Sequence, residues 1–138
     1  MTTTNELTLT DFLTTHGVTM SVERTDHNPH MDDADRDMTH WKVTLHAGRR
    51  RMTVVFSMGS GFMGKRPELA DVVDTLASDA AGLENAPDFE QWAAEYGYDT
   101  DSRTAERTWK ATTRQSEQLK RLLGDEAFQT LLWETARL

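Results

Sequence analysis

Apolar and polar residues alternate in three segments of the first half of the chain, and this pattern is typical of half-buried β-strands. The second and third segments are separated only by Ala47-Gly48-Arg49. Such a short glycine-containing connection predicts an antiparallel hairpin. The alternating apolar positions are Val18, Met20, Val22, Trp41, Val43, Leu45, Met52, Val54 and Phe56.

Apolar residues recur at helical spacing before the first strand and through most of the second half of the chain. A short helix is predicted from Thr10, as its cap, to His16, with Gly17 at its end. A second helix is predicted to start at Pro67 and to stop at Gly82. Three further helices are predicted, one from a cap at Asp88 to Gly97, one from a cap at Asp101 or Ser102 to Gly124, and one around Phe128, Leu131 and Leu132.

The order of these elements predicts an α+β fold, in which an N-terminal helix and a small three-stranded antiparallel sheet precede about four helices. We expect a single domain over residues 1–138, with residues 1–6 disordered, the helix and sheet within 7–58 and the helical part within 67–138. The longest predicted helix carries a narrow stripe of residues at helical spacing, and the residues in the middle of the stripe are small. The sequence leaves open whether the stripe packs inside the chain or against a second copy of the protein. The stripe consists of Ala105, Trp109, Thr112, Ser116, Leu119 and Leu123.

The composition of the chain limits the classes of function that it can have. The chain carries 23 acidic and 15 basic residues, a formal charge of −8, and no cysteine. Without cysteine there is no disulfide framework and no thiolate site. The acidic sign argues against a protein that coats nucleic acid. With no membrane-length apolar run and no basic region followed by an apolar core in MTTTNELTLT, we expect a cytoplasmic protein without a membrane partner.

The negative charge is concentrated in one segment. Residues 67–101 contain ten acids and no Lys, Arg or His, whereas the flanking segments have a net charge near zero. Charges of one sign repel each other, and a cationic partner would relieve that repulsion. Runs of like charge are, however, often only the solvated faces of helices. We therefore predict an acidic patch that meets a basic protein surface. Its members are Glu68, Asp71, Asp74, Asp79, Glu84, Asp88, Glu90, Glu95, Asp99 and Asp101.

A smaller basic cluster gives an alternative anion-binding site. Arg49, Arg50 and Arg51 lie at the predicted hairpin tip, and Lys65 and Arg66 follow the third strand. Five cations on an acidic chain are a weak signal for nucleic acid.

The segment from Gly59 to Arg66 satisfies the pattern of a phosphate-binding loop, G-x-x-x-x-G-K, between a strand and a helix. The position after Lys65 should carry a hydroxyl that holds Mg²⁺, but it is Arg66. The preceding strand also belongs to an antiparallel hairpin rather than to a parallel unit. A glycine-rich connector is the preferred interpretation.

Metal-ligand residue types crowd into the segment from His27 to His40, which also contains His30, Asp32, Asp33, Asp35 and Asp37. The spacing of its aspartates imitates the start of a calcium loop, yet the glycine and the final glutamate of such a loop are missing. We interpret the segment as a solvated acidic loop and expect no bound metal and no cofactor.

The motif Phe89-x-x-Trp92, followed by Tyr96-Gly97-Tyr98-Asp99 and Asp101-Ser102, resembles a family of small proteins encoded by phages and prophages. The resemblance covers nearly the whole chain. The family has no assigned enzymatic activity, so the resemblance implies a phage origin and transfers no catalytic residue. By analogy with anti-CRISPR and antirestriction inhibitors, it implies evasion of a host defence.

The leading hypothesis is a non-enzymatic phage protein that blocks a host defence or nucleic-acid-handling protein, such as a CRISPR effector, through the acidic patch. One alternative is an accessory protein of phage DNA metabolism that binds nucleic acid through the basic hairpin tip. Another is a small metal- or phosphate-dependent enzyme that uses the His27–His40 segment or the Gly59–Lys65 loop. A homodimer is a further form of association that the sequence allows.

Overall fold

The computed structural model describes residues 5–25, 39–58, 65–86, 88–100 and 103–136. Within these ranges it confirms the predicted α+β order of an N-terminal helix, a three-stranded antiparallel sheet and four further helices. The elements are α1 (Asn5–Thr15), β1 (Val18–Thr25), β2 (Thr39–Ala47), β3 (Arg50–Met58), α2 (Leu69–Asn85), α3 (Phe89–Glu95), α4 (Arg103–Leu123) and α5 (Asp125–Ala136).

The chain divides into two compact units, Met1–Val73 and Asp74–Leu138, and α2 crosses the boundary between them. The predicted break between the sheet part and the helical part, after residue 58 and before residue 67, lies on the N-terminal side of that boundary. The expectation of one domain over residues 1–138 stays a prediction.

The sheet of the first unit is a meander in the order β1-β2-β3. Its register places Val22, Val43 and Val54 side by side across the three strands. Val43 and Leu45 are fully buried, whereas Thr53 on the other face is exposed. The alternation seen in the sequence is therefore confirmed, because successive side chains of a strand point to opposite faces.

A two-residue turn, Gly48-Arg49, connects β2 to β3 between the paired residues Ala47 and Arg50. Gly48 has a φ of 62°, a left-handed conformation that glycine adopts without a steric penalty and that tight hairpin turns require. The predicted antiparallel hairpin is confirmed.

Helix α1 starts earlier than the sequence predicted. It begins at Asn5, so Thr10 lies inside the helix and the expectation that Thr10 caps it is wrong. The Thr10 carbonyl accepts the hydroxyl of Thr14 at 3.0 Å. Neither glycine nor proline occurs between residues 5 and 15, so nothing stops the helix from extending backwards. Asn5 and Glu6 are therefore helical, while residues 1–4 lie outside the described ranges.

The start of α2 also differs from the prediction. Pro67 does not occupy the first helical position, because the carbonyl of Glu68 accepts the N–H of Val72 at 3.1 Å. That bond makes Glu68 the N-cap residue and Leu69 the first residue of the helix. Pro67 is buried just outside the helix.

The end of α2 lies beyond Gly82, where the sequence predicted it, and the helix continues to Asn85. The hydroxyl of Tyr96 occupies the place that a Cβ at residue 82 would take, and Cζ of Tyr96 is 3.1 Å from that place. Gly82 therefore admits the close approach of a side chain from beyond α3 and does not end the helix.

The later helices follow the prediction more closely. Gly97 and Gly124, with φ values of 75° and 90°, lie at the ends of α3 and α4. The carbonyl of Gly124 then accepts the N–H of Phe128 at 2.9 Å at the start of α5. Phe128, Leu131 and Leu132 are buried, as expected for the core face of a last helix. The predicted cap of α4 at Asp101 or Ser102 lies outside the described residues.

The contact between Tyr96 and Gly82 leads to a testable prediction. In the Tyr96→Ala background, the change Gly82→Ala should raise the free energy of unfolding by about 0.5–1 kcal/mol, because alanine favours a helix interior over glycine. In the native background that gain should be lost or reversed, because the new methyl group displaces the Tyr96 ring. A double-mutant cycle measured by urea unfolding should give a coupling energy of about 1 kcal/mol. Additive effects would contradict the described contact.

Candidate protein-binding surface

Helix α3 is only seven residues long, and both of its ends are capped. The Asp88 side chain accepts the backbone N–H of Gln91 at 2.8 Å, which confirms the predicted N-cap. At the other end the N–H of Tyr98 bonds to the carbonyl of Ala93 at 2.8 Å, and that of Gly97 bonds to Ala94 at 3.3 Å. This pair of bonds around a left-handed glycine is a Schellman motif.

The Schellman motif returns the chain so that two tyrosines lie against Trp92. The rings of Trp92 and Tyr98 stack with centroids 5.3 Å apart and planes 10° apart, and Tyr96 lies at 5.3 Å in a tilted arrangement. Phe89 extends the cluster from Trp92 at 6.4 Å to Trp109 of α4 at 5.4 Å. The motif Phe89-x-x-Trp92 with Tyr96-Gly97-Tyr98 thus builds an aromatic cluster that joins α3 to α4.

The predicted acidic patch is almost entirely exposed. Nine of its ten members lie within the described residues, and Asp101 lies outside them. Leaving Asp99 aside, none of the nine takes part in an ion pair with another described residue. The exposed members are Glu68, Asp71, Asp74, Glu84, Asp88, Glu90, Glu95 and Asp99.

Asp79 differs from the rest of the patch because it is only partly exposed. Removal of the carboxylate from water disfavours its charged form, and this burial raises the pKa of Asp79 from 3.8 to about 6. Burial also raises the pKa of Tyr96, and the negative charges of Asp79 and Glu95 add to that increase. Asp79 is therefore a partly buried group whose charge acts on Tyr96, and it differs in this from the exposed charges of the patch.

Within the second unit, the C-terminal part of α2 and the middle of α4 enclose an open groove of about 260 Å³. On the α2 side its wall consists of Ala80, Leu83, Glu84 and, just after the helix, Ala86. Ala80 and Ala86 are buried and Glu84 is exposed. The floor of this side is therefore apolar, with one carboxylate at the rim.

The α4 side of the groove combines an indole ring with polar groups. Its lining residues are Trp109, Thr113, Ser116 and Glu117. Trp109 is half-buried against Phe89, whereas Glu117 is exposed. The set contains two carboxylates, Glu84 included, and no basic residue.

The groove also shows where the predicted stripe of α4 lies. Ala105 and Leu119 are buried, but Thr112 and Ser116 in the middle are only half-buried. The hydroxyl of Thr112 donates to the carbonyl of Thr108 at 2.7 Å, so this side chain satisfies its polar group within its own helix. Sequence reasoning found the small residues of the stripe but missed the groove, because the opposite wall comes from residues near position 83.

The alternative basic site is only partly assembled. Arg49, Arg50 and Arg51 are exposed at the tip of the β2–β3 hairpin, as predicted. Lys65 and Arg66 are exposed as well, but they follow the opposite end of β3 along the chain.

The described residues give no support to a metal centre. Of the predicted acidic loop only His40 is described, and in the described part of the chain no three metal-ligand residues come together. Nδ1 of His40 instead shares a 2.7 Å hydrogen bond with the hydroxyl of Ser57, its cross-strand neighbour. Sequence reasoning missed this pair because it depends on the strand register. His27, His30, Asp32, Asp33, Asp35 and Asp37 lie outside the described residues.

The structure does not test the phosphate-binding loop itself, because residues 59–64 lie outside the described ranges. The strand before the loop, β3, pairs only in antiparallel fashion with β2 in the described sheet. Nucleotide-binding folds place such a loop after a strand of a parallel sheet, so the surrounding fold disfavours a nucleotide site here.

Comparisons with known proteins add no relative. No protein-family model, no curated protein and no solved structure matches the chain. Among the described helices, none has the length and the apolar character needed to cross a bilayer.

The raised pKa of Asp79 leads to a prediction about pH. In the folded state Asp79 holds its proton up to about pH 6, whereas in the unfolded chain it loses the proton near pH 4. The folded state therefore binds more protons between these values, and the contribution of Asp79 to stability falls as the pH rises from 4 through 6. In Asp79→Asn this loss disappears, so the variant should gain on the order of 2 kcal/mol relative to wild type between pH 4 and pH 7.5.

Urea unfolding of both proteins at pH 4, 5, 6 and 7.5 would measure the difference. Asp74→Asn on the exposed face of α2 is the matched control, and its stability relative to wild type should show no comparable change with pH. A constant difference between Asp79→Asn and wild type would contradict the burial of this carboxylate.

Proposed function

We propose that this protein is a non-enzymatic, phage-encoded binding protein that occupies a basic surface of a host defence or nucleic-acid-handling protein, such as a CRISPR effector, in the cytoplasm of a bacterial host. The phage assignment rests on the resemblance carried by Phe89-x-x-Trp92 and Tyr96-Gly97-Tyr98-Asp99. The mode of action rests on the charge and burial of residues in α2, α3 and the turn after α3.

The observation that carries this proposal is the exposed, uncompensated charge of the second unit. Asp74, Glu84, Glu90 and Glu95 are exposed, and no ion pair with a described residue neutralises them. By contrast, Glu106 and Lys110 in α4 form an ion pair at 2.9 Å. Surface helices ordinarily gain stability from such mixed signs, so a surface of one sign is better suited to a cationic partner than to internal pairing.

Exposed aromatic residues of the second unit add a source of contact energy. Tyr96 and Tyr98 are 49% and 37% exposed, although the ring of Tyr98 is stacked on Trp92. Because the ring is already held in place, it loses little conformational freedom when a partner covers it. Tyrosine is among the residues that contribute most to protein interfaces.

Charge reversal tests this proposal. Affinity capture from a bacterial lysate with mass spectrometry would identify the partner, and binding of the purified partner would be measured at 50, 150 and 300 mM salt. The triple change Asp74→Lys, Glu90→Lys and Glu95→Lys should weaken binding by about tenfold or more at the lowest salt. The affinity of the variant should also depend less on salt than that of wild type.

The matched control is Asp11→Lys, Asp125→Lys and Glu126→Lys, which reverses three exposed acids that lie outside the acidic patch and form no ion pair with a described residue. Both variants have a formal charge of −2, because three reversals add six to the native −8. The control should bind nearly as tightly as wild type. Equal losses in both variants would show that only net charge matters, and no loss in either would contradict a role of Asp74, Glu90 and Glu95 in binding the partner.

Nucleic-acid binding is a second candidate function, and one observation favours it. Three consecutive arginines, Arg49, Arg50 and Arg51, are exposed at the tip of a hairpin with a two-residue turn. Arginine side chains at such a tip are well placed to contact phosphates.

Fluorescence anisotropy with labelled single- and double-stranded DNA at 50 and 200 mM salt would test this second function. We expect no binding at 200 mM salt, because the acids of the chain outnumber its bases and repel phosphates. Tight binding that the triple change Arg49→Ala, Arg50→Ala and Arg51→Ala removes would instead establish nucleic acid as the ligand. The Lys65→Ala and Arg66→Ala variant is the control for the rest of the basic cluster.

A further inference from the structure

We propose that the groove between α2 and α4 binds one arginine side chain of the partner protein. This inference rests on the proposed function and makes it more specific, since it names the side chain that the basic partner inserts and the place where it lies.

The groove is large enough to hold one long side chain. Its volume of about 260 Å³ lies below the roughly 300–1,000 Å³ that are typical of sites for drug-sized molecules. The apolar wall contains Leu83 and the small residues Ala80 and Ala86, which can cover the aliphatic stem of a long side chain.

The charge of the lining selects a cation. Glu84 and Glu117 are at opposite walls, and neither forms an ion pair with any described residue. No basic residue lines the groove. Two carboxylates beside an apolar wall would also repel the phosphates of a nucleic acid, so the charge favours a protein side chain as the occupant.

The chemistry of the lining favours arginine over lysine. Trp109 presents an indole ring to the groove, and a guanidinium stacks on aromatic faces while its planar donors reach carboxylates. The hydroxyls of Thr113 and Ser116 offer further acceptors on the same wall. A guanidinium has five N–H donors, enough to use both carboxylates and the hydroxyls together, whereas an ammonium has three and is more strongly hydrated.

Ring packing supports the side of the groove that would hold the guanidinium. Trp109 packs edge to face against Phe89, which in turn stacks on the buried Trp92. The indole is thus supported by the aromatic cluster, and little side-chain entropy remains to be lost when a ligand covers it.

The test uses the intact protein and three short peptides. Binding of acetyl-Gly-Arg-Gly-amide is followed by the NMR signals of the backbone amides and of the Trp109 indole N–H. We expect a dissociation constant of about 1 mM, with shifts concentrated at Trp109, Thr113 and Ser116. The peptide with citrulline, a neutral isostere of arginine, should not bind, and the lysine peptide should bind several-fold more weakly.

Variants locate the site. Glu84→Gln and Glu117→Gln should each weaken binding of the arginine peptide by up to about fivefold, as expected when an exposed ion pair loses one of its charges. Asp74→Asn removes the same charge from α2 outside the groove and should leave the affinity unchanged. Ser116→Met, which fills the groove without a change of charge, should abolish binding, and thermal unfolding would check that each variant folds.

Three results would overturn the proposal. They are equal binding of the lysine peptide, shifts spread evenly over exposed acidic residues, and an equal loss of affinity in Asp74→Asn and Glu84→Gln. None of these results touches the acidic surface itself, which the reversal of Asp74, Glu90 and Glu95 tests with the purified partner. Failure of the groove and failure of the proposed function are therefore distinguishable.

Discussion

A seven-residue helix such as α3 gains too little from its own backbone hydrogen bonds to be stable alone, and the burial of Trp92 supplies the missing stabilisation. The indole is only 3% exposed and contacts Phe89, Tyr96 and Tyr98. The Schellman motif at Gly97 makes these contacts possible, because it turns the chain back so that Tyr98 stacks on the face of Trp92. Through Tyr96 the same cluster reaches Gly82 of α2, and through Phe89 it reaches Trp109 of α4.

The helices α2 and α3 carry many acids and remain folded because those acids lie outside the apolar and aromatic core. Apart from Asp79, the described acids of the patch are exposed, where water screens their mutual repulsion. The buried positions of α2 and α3 are alanine, valine, leucine and tryptophan. Asp79 is the exception, since its burial raises its pKa to about 6 and makes it a source of instability at neutral pH. The surface is thus negative because its acids lie outside the core. The groove beside Trp109 gives one part of that negative surface a defined shape.

Some local features were predictable because they depend only on neighbouring residues. The strands followed from the period of two in Val18–Val22, Trp41–Leu45 and Met52–Phe56, and α3 followed from Asp88 and Gly97. The first and last residues of a helix were less predictable where a residue can have two structural roles. Pro67 lies before α2 because Glu68 caps the helix, and Gly82 lies inside it because the Tyr96 ring needs the space of a missing side chain.

The sequence by itself determined the α+β order, the hairpin tip with its arginines and the concentration of acids between residues 67 and 101. These properties are set by local periodicity, by glycine conformations and by simple counting of charges. Only the tertiary structure decided that Asp79 is partly buried, that His40 bonds to Ser57, and that Glu84 and Glu117 share a groove with Trp109. Each of those facts joins residues that are distant in the chain, and such pairings depend on how helices and strands pack, which no local pattern encodes.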